Sequence, residues 1–344
     1  MKKKTYGKRL WALALVAAVS AGLLAGCSGQ GETPSGSPLR EPVGELRADV
    51  GVADVTIMEE VELLDEAVAL SDAPAAVPAG LRTEASGKLV KENTSARIDY
   101  SNTADGYVMV KYTESTSQRI KVQVKGPTTT YTYNLTVGEW EVFPLSDGSG
   151  DYQIVVYRNV TGSKYAAVLS LSTRVALSDE FAPFLRANQY VDYEAAPNAM
   201  AVAAELTASL TNPLKKVEAV YDYVVKGLSY DKELASTVQS GYLPVLDEVL
   251  EKKKGICFDY AALMTGMLRS QGVPCKLVVG YAGKAYHAWI SVWVEGSGWV
   301  DGAIWFDGSS WQRMDPTFAS SGNSSKSILE YIGDGSNYSA KYFY

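Results

Sequence analysis

Histidine is almost absent from this chain: His287 is the single one in 344 residues. Cysteine is scarce too, present at Cys27, Cys257 and Cys275. So few imidazole and thiol ligands make a zinc site improbable, although calcium bound by scattered carboxylates stays open. No Walker, dinucleotide-binding or EF-hand pattern occurs, and no cofactor is expected. Excess positive charge is missing as well. The formal net charge is −7, and removing the five basic residues of Met1–Arg9 takes it to −12. That balance excludes an extended phosphate-binding surface and, with it, nucleic acid as a partner. The one long apolar run, Leu10–Leu24, falls short of the ~20 residues that a helical membrane span needs.

What is present begins with that run. Basic residues precede it and Leu24-Ala25-Gly26-Cys27 follows, the layout of a secretory signal. Its end resembles the bacterial lipoprotein box. The resemblance implies that residues 1–26 are removed and that Cys27 becomes the lipidated first residue. The chain is then expected to be anchored to the outer face of a bacterial cell membrane. Residues 27–80 read as a tether, rich in Gly, Ser, Pro and Glu up to Gly44 and in Pro and Ala from Ala73. Between them, Val50–Ser71 is apolar and acidic and fits strand, helix or continued linker equally.

From residue 81 to 178 the apolar residues recur with period two. Tyr107–Tyr112, Ile120–Val124, Tyr131–Leu135, Glu141–Phe143, Tyr152–Tyr157 and Ala166–Leu171 read as strands separated by Gly, Asp, Ser and Pro turns. Several short strands in such a span predict an antiparallel β-sandwich. Its role reads as a spacer or stabilising module, with recognition of a wall polymer or protein as the alternative. After Asp179 the pattern turns helical. Asn212-Pro213 forms a helix start, followed by Leu214, Val217, Val220, Tyr221, Val224 and Leu228 at helical spacing.

The second half also carries the chemistry. Gly255 ends a charged run, and Cys257–Ser270 predicts a helix stopped by Gly272. A thiol at a helix N-terminus has its anion favoured by free N–H groups and the macrodipole. Asp259, in the first turn, reads as a capping carboxylate. His287–Val294 alternates as a strand with Ala288, Ile290, Val292 and Val294 on an aliphatic face, which leaves His287 and Trp289 on the other. Asp315 follows a second short segment, Ser310–Met314. A cysteine, an imidazole and a carboxylate in this order suit covalent acyl transfer. The thiolate attacks, the imidazole moves the proton, and the carboxylate orients the ring.

Gly255-Ile256-Cys257-Phe258-Asp259-Tyr260-Ala261, Arg269-Ser270-Gln271-Gly272-Val273-Pro274, His287-Ala288-Trp289 and Asp315-Pro316-Thr317 resemble the transglutaminase-like core. The resemblance covers roughly Phe181–Ser321. It implies an α+β, papain-like fold for residues 179–344, in which a helix bearing Cys257 packs on an antiparallel sheet bearing His287 and Asp315. It also implies the roles of nucleophile for Cys257, base for His287 and orienting acid for Asp315. Leu228-Ser229-Tyr230-Asp231 resembles the segment preceding the cysteine helix, so Tyr230 is a candidate for an oxyanion hole, with a packing tyrosine as the plainer reading. Cys275 departs from the family's usual Ala and reads as an inert buried thiol, the alternative being a regulatory disulfide with Cys257. The expected activity is acyl transfer on a protein or peptide substrate that is associated with the cell wall or lies elsewhere outside the cell. Hydrolysis as a peptidase or amidase is favoured over cross-linking, and a catalytically silent surface-binding lipoprotein is the alternative.

Overall fold

A computed structural model describes residues 78–295, 298–301, 305–306, 311–312 and 338–344. The lipoprotein box, most of the tether, Val50–Ser71 and Asp315 lie outside these residues.

The strand-forming half supplies eight strands: β1 (Val90–Glu92), β2 (Ala96–Asp99), β3 (Tyr107–Tyr112), β4 (Ile120–Lys125), β5 (Thr130–Leu135), β6 (Trp140–Pro144), β7 (Gly150–Thr161) and β8 (Lys164–Val175). They form two four-stranded antiparallel sheets, ordered β1-β2-β3-β6 and β5-β4-β7-β8. Alternation aims Ile98, Val108 and Val110 of one sheet and Val122, Val124 and Ile154 of the other into a shared core, all fully buried. Burying each such aliphatic side chain stabilises the fold by about 1.5–3 kcal/mol. A smaller cluster of Tyr107, Met109 and Val142 forms on the reverse face of β3 and β6.

The second half is mixed. Its elements run α1 (Pro197–Thr207), α2 (Pro213–Gly227), β9 (Ser229–Tyr230), α3 (Lys232–Thr237), α4 (Leu246–Lys252), β10 (Lys254–Gly255), α5 (Cys257–Ser270), β11 (Cys275–Ala282), β12 (Ala285–Val294), β13 (Gly298–Asp301), β14 (Trp305–Phe306), β15 (Trp311–Gln312) and β16 (Tyr338–Phe343). The Asn212 side chain accepts from Leu214 N at 2.8 Å, so α2 starts at its expected cap. α5 ends where Gly272 takes the left-handed conformation, φ 74°. A four-stranded antiparallel sheet, ordered β13-β12-β11-β16, packs against α5, and α1, α2 and α4 pack on the helix's other sides. Every residue of α5 is buried, which accounts for its lack of a polar stripe. The fold is α+β, with an all-β N-terminal region ahead of the mixed half.

A run of aromatic rings ties the halves together. Tyr133 of β5 lies with its ring 5.0 Å from Phe143, 5.6 Å from Tyr190 and 5.9 Å from Tyr344, centroid to centroid. Tyr190 in turn lies 4.4 Å from Tyr344 and 5.6 Å from Phe258, the residue after Cys257. Within the second half, Arg269 of α5 gathers the chain around the helix. Fully buried, it donates to the carbonyls of Cys275 (2.8 Å), Arg186 (2.7 Å) and Tyr344. These bonds join α5 to β11, to the segment ahead of α1 and to the strand edge that continues β16.

Candidate active site

Cys257 is the first residue of α5 and is 7% exposed. The turn before it is built by three residues of the Gly-x-Cys-x-Asp pattern. Asp259 is 1% exposed and folds back so that its Oδ2 accepts from Ile256 N at 2.8 Å. This satisfies one donor at the helix start, as a capping carboxylate does. Gly255 makes room for it: a Cβ at position 255 would sit 2.6 Å from the Asp259 Cβ. Sequence reasoning therefore read Asp259 correctly as a cap.

Tyr230 is held beside the same turn by the backbone. β9 and β10 pair in parallel with Tyr230 opposite Gly255, and Asp231 N donates to Gly255 O at 2.8 Å. Its phenol is pushed up by burial and then by the charge of Cys257 close by. Tyr286 at the start of β12 is likewise raised, by burial first and, among nearby charges, by Cys257. The beginnings of α5, β9 and β12 thus converge at one end of the core.

His287 sits on β12 opposite Gly280 and is 6% exposed. Its ring stacks at 20° on Trp289, 6.1 Å between centroids, and lies 6.3 Å from Tyr338. Gly280 is required there, because a Cβ would run into the Ser339 carbonyl and the Trp289 ring. Cys275 Sγ meets Thr265 Oγ1 of α5 at 3.6 Å, so α5 covers the sheet face shared by Cys275, Leu277 and, through the ladder, Ala288, Ile290 and Val292. His287 and Trp289 occupy the opposite face, as the alternation of the strand predicts. The structure brings Tyr230 beside the turn that carries Cys257 and puts Tyr286 within electrostatic reach of it. It puts His287 one residue further along the same strand. Asp315 lies outside the described residues. Among those residues no cluster of three or more His, Cys, Asp or Glu side chains could hold a metal ion.

The disulfide alternative for Cys275 is corrected by this geometry. Both thiols are free and buried. Cys275 is packed against Thr265, eight residues along α5 from Cys257 and so about 12 Å away along the axis. A disulfide needs Cα atoms within about 7 Å. Burial pushes the Cys275 thiol up to about 11, so it stays protonated at neutral pH.

A family model described as the transglutaminase-like superfamily matches residues 200–316, a span that holds Cys257, His287 and Asp315. Residues 200–316 belong to the transglutaminase-like superfamily. Among solved structures, this chain is similar to a protein from Cytophaga hutchinsonii provisionally named a cysteine protease, with 16% identity, 61% of this chain and 78% of that one covered, and a TM-score of 0.33. It is also similar to the periplasmic domain of TgpA from Pseudomonas aeruginosa bound to ethylmercury, with 16% identity, 70% and 100% covered, and a TM-score of 0.32. A third likeness is to red sea bream transglutaminase, with 14% identity, 61% and 48% covered, and a TM-score of 0.25. No curated protein matches the chain.

Sequence reasoning missed Tyr242. Its hydroxyl donates to Asp259 Oδ1 at 2.7 Å, from the segment between α3 and α4. Tyr242 has no periodic or motif context, and its partner is 17 residues away, so nothing in the sequence points to the pair.

Proposed function

We propose that this protein is a lipid-anchored, extracytoplasmic cysteine acyl-transfer enzyme that acts on peptide or side-chain amides. The observation that carries the reading is Cys257 at the first position of a buried helix, in a turn fixed by Asp259 and beside Tyr230. A thiolate at this position is favoured by the free N–H groups of the helix start. It attacks the amide carbonyl, forming a C–S bond, and the oxygen charge that develops is met by the Cys257 N–H with Tyr230 as the candidate second donor. Collapse breaks the C–N bond, and His287, oriented by Asp315, gives the departing amine its proton. Water then attacks the thioester, releases the acid and returns the thiol. Hydrolysis is the favoured outcome; capture of the thioester by an amine would make the protein a transglutaminase. Cys27 is the proposed lipid attachment.

The second reading, a catalytically silent surface-binding lipoprotein, is favoured by one observation: the Cys257 thiol is only 7% exposed. Turnover separates the two readings. The wild-type protein, given a casein digest with and without a primary amine such as putrescine, is expected to release new amino termini or ammonia, and Cys257→Ser to release neither. Amine incorporation at the expense of hydrolysis would reassign the enzyme as a transglutaminase. No product from wild type, with binding to cell-wall material retained in Cys257→Ser, would establish the silent module.

A further inference from the structure

Asp259 is a fully buried carboxylate two residues past the nucleophile, and both of its oxygens are engaged. Oδ2 accepts from Ile256 N at 2.8 Å and Oδ1 accepts from the Tyr242 hydroxyl at 2.7 Å. Tyr242 comes from outside this turn. It follows Gly241, whose φ of 92° lets the chain double back, and its ring meets Phe258 edge-on at 6.4 Å. Exposed Leu243 and Val245 flank it. A single phenol on a surface segment therefore completes the buried unit that sets the start of α5.

We propose that Tyr242 is a positioning residue for Cys257, acting through Asp259 on Ile256 and thus on the turn that presents the thiol. The inference rests on reading Cys257 as the nucleophile. An ionised Asp259 accepts at both oxygens, whereas a protonated one must turn the Tyr242 bond round, its carboxyl O–H donating to the phenol oxygen, or give up Ile256 N, and either change disturbs the turn. Burial raises the Asp259 carboxyl, and the Tyr242 and Ile256 donors oppose that rise. Asp231, at the start of α3, pushes it up further and Lys252, at the end of α4, pulls it down. The Tyr230 phenol also feels its charge. Removing the Tyr242 hydroxyl removes a bond to the ionised form, so Asp259 takes its proton at higher pH.

The test is the rate of iodoacetamide modification of Cys257, followed by peptide mass from about pH 5 to pH 8 in the full chain. Wild type, Tyr242→Phe, Asp259→Asn and the double variant are compared. The expected result is a loss of about tenfold in Tyr242→Phe, equivalent to about 1.4 kcal/mol, with the acid-side fall in rate moved to higher pH. Asp259→Asn is expected to keep only the acid-side fall that comes from protonation of the thiol itself, and adding Tyr242→Phe to it should not move that fall. A Tyr242→Phe profile that superposes on wild type, or is lowered equally at every pH, would overturn the proposal. If Tyr242→Phe does not fold, hydrogen exchange at the Ile256 amide of wild type decides. Corrected for intrinsic rates, its protection should fall together with Cys257 reactivity as pH drops, and protection that holds constant while the reactivity falls would overturn the proposal. A wild-type rate indifferent to His287→Ala would sink the enzymatic reading and leave the Tyr242 dependence to stand or fall by itself.

Discussion

At Cys275, desolvation outweighs the Thr265 hydroxyl and the Arg269 charge, both of which favour the anion, and the thiol rises from 9.0 to about 11. Between those two values the folded protein keeps a proton that the unfolded chain has lost. Stability therefore falls as pH rises through that window, and this contribution is fully present below it. At neutral pH Cys275 is a small apolar side chain with no exposure, whereas Cys257, 7% exposed, stands at the first position of its helix. Iodoacetamide applied to the native protein is expected to mark Cys257 and to leave Cys275 untouched until denaturant is added; equal labelling of the two in native protein would contradict the assignment. The helix start at Cys257 was legible in the sequence from Gly255 before it and Asp259 after it, and the burial of Cys275 from its place at the start of an apolar strand. The Tyr242–Asp259 bond was not legible, because it joins a helix turn to an irregular segment on the far side of α4. Such a contact is fixed by packing alone.

Among the elements, β12 shows how far a pattern reaches. Its alternation assigned Ala288, Ile290 and Val292 to one face and His287 to the other, and the ladder with β11 agrees. The helix α5 begins and ends where its Cys257 and Gly272 signals predicted. The parallel β9–β10 pair escaped notice because two-residue strands have no periodicity. The pairing of β16 with β11 escaped notice because Tyr338–Phe343 alternates with nothing to name its partner. Gly280 makes that pairing possible, since any side chain there would meet the Ser339 carbonyl. Gly280→Ala is therefore expected to cost about 2 kcal/mol or more, in the range of overpacked cores. It should also loosen β16, read as faster hydrogen exchange at 338–343 than elsewhere. Unchanged stability with unchanged exchange would show that β16 is not seated as described.

Over the whole molecule, the aromatic contacts from Tyr133 through Tyr190 and Tyr344 to Phe258 make the sandwich and the transglutaminase-like half share one core. The sequence separated the two halves by their periods, yet it carried no sign of this seam. Rings 57 or more positions apart leave no local pattern. The Tyr133 hydroxyl is buried without a hydrogen-bond partner, so its ring, not its oxygen, supplies the stability. Tyr133→Phe is expected to be neutral or slightly stabilising. Tyr133→Ala is expected to cost about 3–5 kcal/mol, as large aromatic truncations do. Denaturant unfolding of Tyr133→Ala should show β-sheet signal lost and Cys275 exposed in one transition at lower midpoint. Two separated transitions would mean that the halves are energetically independent.

The central claim is that Cys257 is an activated nucleophile served by His287, and the rate of iodoacetamide modification of Cys257 in wild type and in His287→Ala tests it most directly. The account expects rapid modification at neutral pH, slowed about tenfold or more when the imidazole is removed. A slow reaction, equal in the two proteins, would contradict it.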